Sequence, residues 1–390
     1  MSAEFDVVLV GGGIMGCATA HELSRRGAKV AVVEKGTLAC GSTGKSSAIV
    51  RQHYSNEVTA RMARWALDVF RDFGERVGGE SGFVNAGFVV LVPAEDVEGL
   101  RENVALQQAV GIDTRLLSAE EIVEVMPGVA SADLVAAAWE PGAGYADPHL
   151  TATGFYEAAK RHGAAFLFNR EVTGIRFVGG RVAGVDTSQG PIAAGAVVNC
   201  AGPGGARVAA MAGLDVPVSP CRAQVAVFGR PVGQRGPHPV VLDFVHASYF
   251  RPETGDLMLV GLIDPSEAED VVDPDRYPEY TDDAFDLLVG ERWMRRCPAM
   301  EAAQRRRGYA GLYAITPDWH PVIDEVPEGS GHFICTGFSG HGFKLSPAVG
   351  RLMADMVTGE TPTFDARLFR LSRYAEGDPV RGRYEYSITG

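Results

Sequence analysis

The chain has 390 residues, 46% of them hydrophobic, and a formal net charge of -13. That length supports more than one hydrophobic core, since single cores stop growing at roughly 250–300 residues. The negative charge repels phosphate backbones and anionic lipid, which argues against nucleic-acid or membrane-surface binding. No apolar run approaches the ~20 residues that span a bilayer, and the N-terminus has neither a basic region nor a cleavage site, so no membrane span or secretory signal is expected. Six scattered cysteines, Cys17, Cys40, Cys200, Cys221, Cys297 and Cys335, form no Cys-x-x-Cys pair. Neither a metal site nor a redox dithiol is therefore indicated, and a cytoplasmic location suits the free thiols.

In chain order, Asp6–Val10 is an apolar run that reads as a buried parallel strand. Gly11-x-Gly13-Ile14-Met15-Gly16 follows at once. Gly11 permits the tight turn, Gly13 lets a pyrophosphate approach the backbone, and Gly16 lets the next helix pack on the strand. Residues 17–26 read as that helix, whose N-terminal amides would face phosphates. A second strand, Lys29–Glu34, ends in an acid placed to accept hydrogen bonds from ribose hydroxyls. Strand, glycines, helix, strand and acid in this order form a Rossmann dinucleotide-binding unit. The loop Gly41-Ser42-Thr43-Gly44-Lys45-Ser46-Ser47 can cover a diphosphate and a flavin ring, and a helical stretch follows over roughly 56–77. A nicotinamide dehydrogenase would usually continue with further βα units, so the order favours FAD over NAD.

Further along, residues 86–92, 225–228, 249–251 and 257–261 read as strands between Pro, Gly and Asp punctuation, with helices near 96–110 and 282–296. Residues 171–175 and 197–202 read as strands of the cofactor region. The predicted class is α/β: a Rossmann-type FAD domain from 1–82, 146–215 and 305–372, and an α+β substrate domain on a mixed or antiparallel sheet from 83–145 and 216–304. Residues 373–390 are left as a C-terminal tail.

Residues 35–51, Gly144-Tyr145-Ala146-Asp147-Pro148, Asn199-Cys200-Ala201-Gly202-Pro203, and Gly337-Phe338-Ser339-Gly340-His341-Gly342-Phe343-Lys344 followed by Ser346–Gly350 resemble the D-amino-acid-oxidase-type FAD family. Within it the sequence is similar to the sarcosine oxidase/dimethylglycine dehydrogenase branch, from about residue 5 to 372. The resemblance implies cofactor contacts from Gly11, Gly13, Ile14, Met15, Gly16, Glu34 and Lys35. It adds Gly41, Ser42, Thr43, Lys45, Ser46 and Ser47 in the loop, Val172 at the adenine, and the turn Ala201-Gly202. Gly337, Gly340, His341, Gly342, Phe343 and Lys344 complete the set.

The resemblance also implies that Arg51 and Lys344 hold a substrate carboxylate, that Tyr313 lines the pocket and that His341 lies near the flavin ring. Arginine suits the first role because its fork binds a carboxylate bidentately. A lysine near a helix start is electrostatically misplaced unless it has a function. Asp318 and His320 are expected to shape the turn before Pro321. Members of this branch attach the flavin through a cysteine or a histidine; Gly311 and Lys45 stand at those positions, so FAD is expected to be non-covalent. The lysine that activates oxygen falls in the apolar run Leu257–Val260, which leaves the acceptor open between oxygen and another molecule. The expected reaction is oxidation of a C–N bond in a secondary or N-alkyl amino acid such as sarcosine, by hydride transfer to flavin N5. The same scaffold also serves 2-hydroxy acids and glycerol phosphate, and it also occurs as the FAD-bearing beta subunit of multimeric sarcosine oxidases, which work with partner subunits.

Overall fold

Strand Phe5–Val10 lies inside a six-stranded sheet because both of its faces are covered, which is why Val7–Val10 form an unbroken apolar run. In the computed structural model, which describes residues 4–384, it pairs in parallel with Val30–Val33 and with Ala194–Asn199. Ala165–Leu167 and His332–Thr336 extend the sheet in parallel on either side, and Val322–Glu325 closes one edge antiparallel. Alternate residues serve opposite layers. Val7, Leu9, Val30 and Val32 pack with helix Ile14–Ser24, helix Pro148–Arg161 and helix Gly342–Thr358; Val8, Val10, Ala31 and Val33 pack on the hairpin of Val172–Val178 and Arg181–Thr187. Local chemistry sets the helix ends. Asn56 caps helix Glu57–Arg71 through the Thr59 amide, and Asp147 caps Pro148–Arg161 with proline in the first turn.

The second sheet is mixed, as predicted. Its order runs Gln304–Arg305, Ser219–Gly229, Leu257–Leu262, Ser248–Glu253, Val240–Asp243, Phe88–Leu91, Ala136–Glu140, Arg115–Ser118. Only Val240–Asp243 and Phe88–Leu91 run parallel. One face of this sheet, including Val89, Phe228, Phe250, Met258 and Val260, buries Trp293 of helix Asp283–Arg296. Strand periodicity turns Leu242, Tyr249 and Tyr313 to the opposite face, toward the cofactor domain.

Two features differ from the sequence expectation. Strand Tyr309–Ile315 pairs with Ser219–Gly229 over its whole length, so the strand that carries Tyr313 is hydrogen-bonded into the second sheet although it lies beyond the boundary at 305. The segment from Arg373 folds back onto the protein as far as it is described. Arg373 is fully buried, and Tyr384 joins the apolar cluster around Phe88, Val90 and Phe244. No described helix is long and apolar enough to cross a membrane.

Candidate active site

The glycine turn is built for close approach. Gly11 has φ of 113°, and a Cβ there would lie 2.6 Å from the Cys200 carbonyl oxygen. A Cβ on Gly16 would collide with the Gly11 carbonyl oxygen, so helix Ile14–Ser24 starts against the end of the first strand. Its first turn carries no acid, and the Ile14 amide donates to Thr43 Oγ1 at 3.0 Å. A hydroxyl oxygen thus already sits where a helix N-terminus attracts anionic oxygens. Gly16→Ala should push the helix off the strand and abolish FAD retention, read as loss of flavin absorbance per protein after gel filtration; full FAD content would contradict this.

Glu34 accepts from the Gly12 amide through Oε2 and from the Gly36 amide through Oε1, both at 2.7 Å. Oε1 also accepts from Cys40 Sγ at 3.8 Å, while Oε2 keeps a second lone pair for a ribose hydroxyl. The two nearby lysines are ion-paired. Lys35 pairs with Asp275, while Lys45 reaches Glu279 Oε1 at 2.5 Å and Tyr277 Oη at 2.7 Å. Burial lowers the Lys45 pKa, but the Glu279 and Tyr277 bonds outweigh it and raise it above its ordinary value. Both ammonium groups bind acids of the second domain.

The remaining loop residues are fixed locally. Ser42 Oγ donates to the Leu312 carbonyl at 2.7 Å, Ser46 Oγ accepts from the Ala48 amide at 3.0 Å, and Gly41 precedes the turn Ser42–Lys45. At the ends of the central strands, Thr336 Oγ1 donates to the Gly202 carbonyl at 2.8 Å, and Asn199 Oδ1 accepts from the Ala201 amide at 3.2 Å. Val172 is buried at the start of its strand, against Val8 and Val33. The carboxyl ends of parallel strands are where open α/β sheets bind their ligands.

The C-terminal motif closes this region. Gly337 and Gly340 have φ of 79° and 82°, and a Cβ on Gly340 would lie 2.9 Å from the Tyr313 ring. A Cβ on Gly342 would lie 2.9 Å from Met15 Cε, so the motif packs on the glycine turn as well. Phe343 packs against Phe70 with the rings tilted and their centroids 5.6 Å apart.

One cavity gathers Arg51, Tyr313, His341 and Lys344, with Ser46 and Ser47 on its cofactor side and Leu242, Tyr249 and Ile263 as an apolar wall. Arg51 is buried just after the short strand Ile49–Val50; its Nη1 donates to the His53 carbonyl, and its guanidinium lies 4.6 Å from the Tyr54 ring centroid. Lys344 is buried in the first turn of helix Gly342–Thr358, its Nζ 3.4 Å from the His341 carbonyl. Burial, then the Arg51 charge, pushes its pKa well below the ordinary lysine value. His341 Nε2 donates to the Trp319 carbonyl at 2.6 Å, and Nδ1 is 3.4 Å from the Tyr54 hydroxyl. Burial first, then Lys344, pushes the His341 pKa well down. The imidazole is therefore neutral, with its one N–H committed to a backbone carbonyl.

The family model described as FAD dependent oxidoreductase, DAO, matches residues 6–356. The chain belongs to this family. It is 29% identical to the glycine oxidase of Geobacillus kaustophilus (strain HTA426), over 96% of this chain and 98% of that protein. It is 30% identical to the mitochondrial sarcosine dehydrogenase of Mus musculus, over 95% of this chain but 41% of that longer protein. Among solved structures, L-proline dehydrogenase from P.horikoshii superposes with a TM-score of 0.89 at 30% identity, covering 97% of this chain and 100% of the other.

For a FAD-dependent oxidoreductase the residues present fit the cofactor. The glycine turn is so tight that a Cβ at Gly11 or Gly16 would strike the carbonyl of Cys200 or Gly11, which brings the helix N-terminus to the end of the first strand, and Glu34 ends the second strand beside it. Sequence reasoning missed several residues around Arg51. Tyr54 lies beneath the Arg51 guanidinium and beside His341. Leu242 and Tyr249 form a cross-strand pair on the cavity wall, with room for the Tyr249 ring left by Gly261. Glu140, at the end of its strand, accepts from the Gln52 amide at 2.8 Å. Burial drives its pKa up to about 7, against the opposing effects of the Gln52 bond and Arg51. Tyr249 stood inside a recognisable strand, but only the sheet register reveals its face; nothing local distinguishes Glu140.

Proposed function

We propose that this oxidoreductase oxidises the C–N bond of a small secondary or N-alkyl amino acid, of the size of sarcosine or proline. The observation that carries the reading is the convergence of Arg51 and Lys344 in one buried cavity. Two cationic side chains held out of water form a costly arrangement that an incoming carboxylate would neutralise. Leu242, Tyr249 and Ile263 give the amine end an apolar surround, which favours the uncharged amine. The named substrates of the sarcosine and proline relatives are of this class, and glycine, named by a third, shares their small size and carboxylate.

Bound FAD supplies a two-electron acceptor at the flavin ring. In this chain Arg51 and Lys344 orient the carboxylate, Tyr313 and Tyr249 limit the pocket, and neutral His341 holds Tyr54 and the Lys344 turn in place. A Cβ on Gly311 would lie 3.0 Å from Lys45 Cβ, so the two attachment positions adjoin. With glycine at one and an ion-paired lysine at the other, FAD binding is non-covalent. Leu257 and Leu259 pack with Val225, Val227 and Tyr309, while Met258 and Val260 face helix Asp283–Arg296. With no cation in that run, we propose that the physiological acceptor is a molecule other than oxygen. None of the six cysteines forms a disulfide, which suits a reducing compartment such as the cytoplasm.

The Lys344 environment makes the reading testable. Burial and the Arg51 charge lower the Lys344 pKa in the free site and a bound carboxylate raises it, so at a pH between the two values binding draws in a proton. Affinity for carboxylate ligands should fall as pH rises above the free-site pKa. Calorimetry in two buffers of different ionisation enthalpy should report uptake of about one proton for the native protein and almost none for Lys344→Met. Equal uptake by both, or equal loss of activity on carboxylate and non-carboxylate amines, would remove Lys344 from the carboxylate site.

A further inference from the structure

The segment from Arg373 to Tyr384 packs behind both halves of the cation pair, through residues that hold them. At one end Tyr384 is inserted beside His53, its hydroxyl 2.8 Å from His53 Nε2 and its ring stacked at 5.9 Å. His53 is fully buried, and its backbone carbonyl accepts from Arg51 Nη1. The other ring nitrogen, Nδ1, lies 3.2 Å from Gln107 Nε2, and the same amide nitrogen donates to the Tyr54 carbonyl at 3.1 Å. An amide N–H at Nδ1 fixes the tautomer, so Nε2 carries the proton and donates it to the Tyr384 oxygen. Burial holds the imidazole neutral, with its pKa lowered to about 3. Gly99, on helix Val97–Ala109, makes room: a Cβ there would lie 3.2 Å from the Arg383 carbonyl oxygen and 3.6 Å from the Tyr384 ring.

At the other end Arg373 Nε and Nη2 bind Asp318 Oδ2 and Oδ1 at 2.7 and 2.9 Å, Nη2 also reaches the His320 carbonyl at 2.9 Å, and the Val380 amide donates to Asp318 Oδ2 at 3.0 Å. The residue clamped between is Trp319, whose φ of 59° is the left-handed region that a bulky side chain adopts only when its surroundings hold it. The Trp319 carbonyl accepts from His341, and the His341 carbonyl accepts from Lys344. Each cation is thus one or two hydrogen bonds from a residue that the C-terminal segment holds.

We infer that the segment Arg373–Tyr384 is a working part of the substrate site, seating Arg51 and Lys344 for carboxylate recognition, with Tyr384 as the positioning residue for Arg51. The inference rests on the carboxylate reading proposed above. Tyr384→Phe leaves the ring in its apolar cluster but gives the buried His53 N–H no acceptor, which frees the His53 backbone that aims Arg51.

The test uses the full-length FAD-loaded protein and pyrrole-2-carboxylate, a carboxylate with no oxidisable C–N bond, titrated by its perturbation of the flavin spectrum. Tyr384→Phe should weaken its binding about tenfold, the loss of roughly one buried hydrogen bond. KM for the best amino-acid substrate should rise in step, while kcat at saturation and FAD content hold. A chain ending at Asp378 should weaken binding at least as much. Native-like binding by both variants while Arg51→Gln weakens it would overturn the inference and leave the carboxylate reading standing. A lower melting temperature with unchanged binding would overturn it equally, by assigning the segment a purely structural role. If Arg51→Gln leaves binding unchanged, the carboxylate reading falls and takes the inference with it. Should Tyr384→Phe not accumulate as FAD-loaded protein, Gln107→Met releases the other ring nitrogen of His53 and is judged by the same outcomes.

Discussion

Arg51→Gln lowers kcat/KM for the carboxylate substrate by about two to three orders of magnitude, the scale of truncating one partner of a buried, hydrogen-bonded charge pair. Glutamine keeps much of the side-chain length but replaces a charged two-pronged donor with a single neutral amide. The cavity gives the carboxylate little other help. Lys344 shares the burial, and burial with the Arg51 charge holds its pKa well below the ordinary lysine value, so Arg51 provides the firmer charge. Arg51→Lys should recover only a small part, because a lysine cannot present two parallel N–H bonds or stack on the Tyr54 ring. The loss should fall on KM and also on the rate of anaerobic flavin reduction, since a carboxylate held by one point leaves the reacting C–H poorly aimed. Stopped-flow traces at 450 nm separate the two. Reduction within threefold of the native rate at the same substrate concentration would show that the carboxylate binds elsewhere.

Arg373→Met destabilises the fold by about 3–5 kcal/mol, the range for breaking a buried ion pair from one side. Asp318 then loses two charge-assisted bonds while still buried, keeping the Tyr374 hydroxyl at 2.9 Å and the Val380 amide at 3.0 Å. Urea unfolding followed by tryptophan fluorescence measures the loss, and a change below 1 kcal/mol would mean that the pair is not formed in solution. The same pair predicts an acid limit. Burial raises the Asp318 pKa, but the Arg373 bonds win and bring it from 3.8 to about 2. A carboxyl group with a depressed pKa stabilises the fold fully above its ordinary value and loses that contribution as pH falls through the folded one. Stability should therefore decline between about pH 4 and pH 2, and Arg373→Met should show a shallower decline there.

The Rossmann unit was legible because each of its parts is local. An apolar strand, glycines at fixed spacing, a helix and a terminal acid all lie within Asp6–Glu34, and each geometric demand falls on the residue that meets it. The C-terminal motif was legible through its resemblance to the family, and the cavity joins Arg51, Tyr313, His341 and Lys344 from three distant parts of the chain.

What the sequence hid depends on long-range partners. Ala136–Glu140 begins with three alanines, the best helix formers, yet pairs as a strand with Phe88–Leu91 because the sheet demands it. Lys35 and Lys45 sit beside the cofactor loop in sequence but find carboxylates at Asp275 and Glu279. Arg373 reads as an ordinary surface residue until Asp318, 55 residues earlier, is placed beside it. Tyr384 reads as part of a polar tail until Phe244 and His53 are seen around it.

The central claim is that a carboxylate-bearing amine delivers its electrons to FAD in this cavity. The most direct measurement is an anaerobic absorbance scan of the FAD-loaded protein with sarcosine, dimethylglycine, proline, glycine and a 2-hydroxy acid added in turn. The account predicts that the flavin band near 450 nm bleaches with at least one secondary or N-alkyl amino acid and persists with the hydroxy acid. It also predicts slow recovery in air and fast recovery with an artificial electron acceptor. Bleaching by the hydroxy acid alone would contradict the account, as would a protein that takes up no FAD.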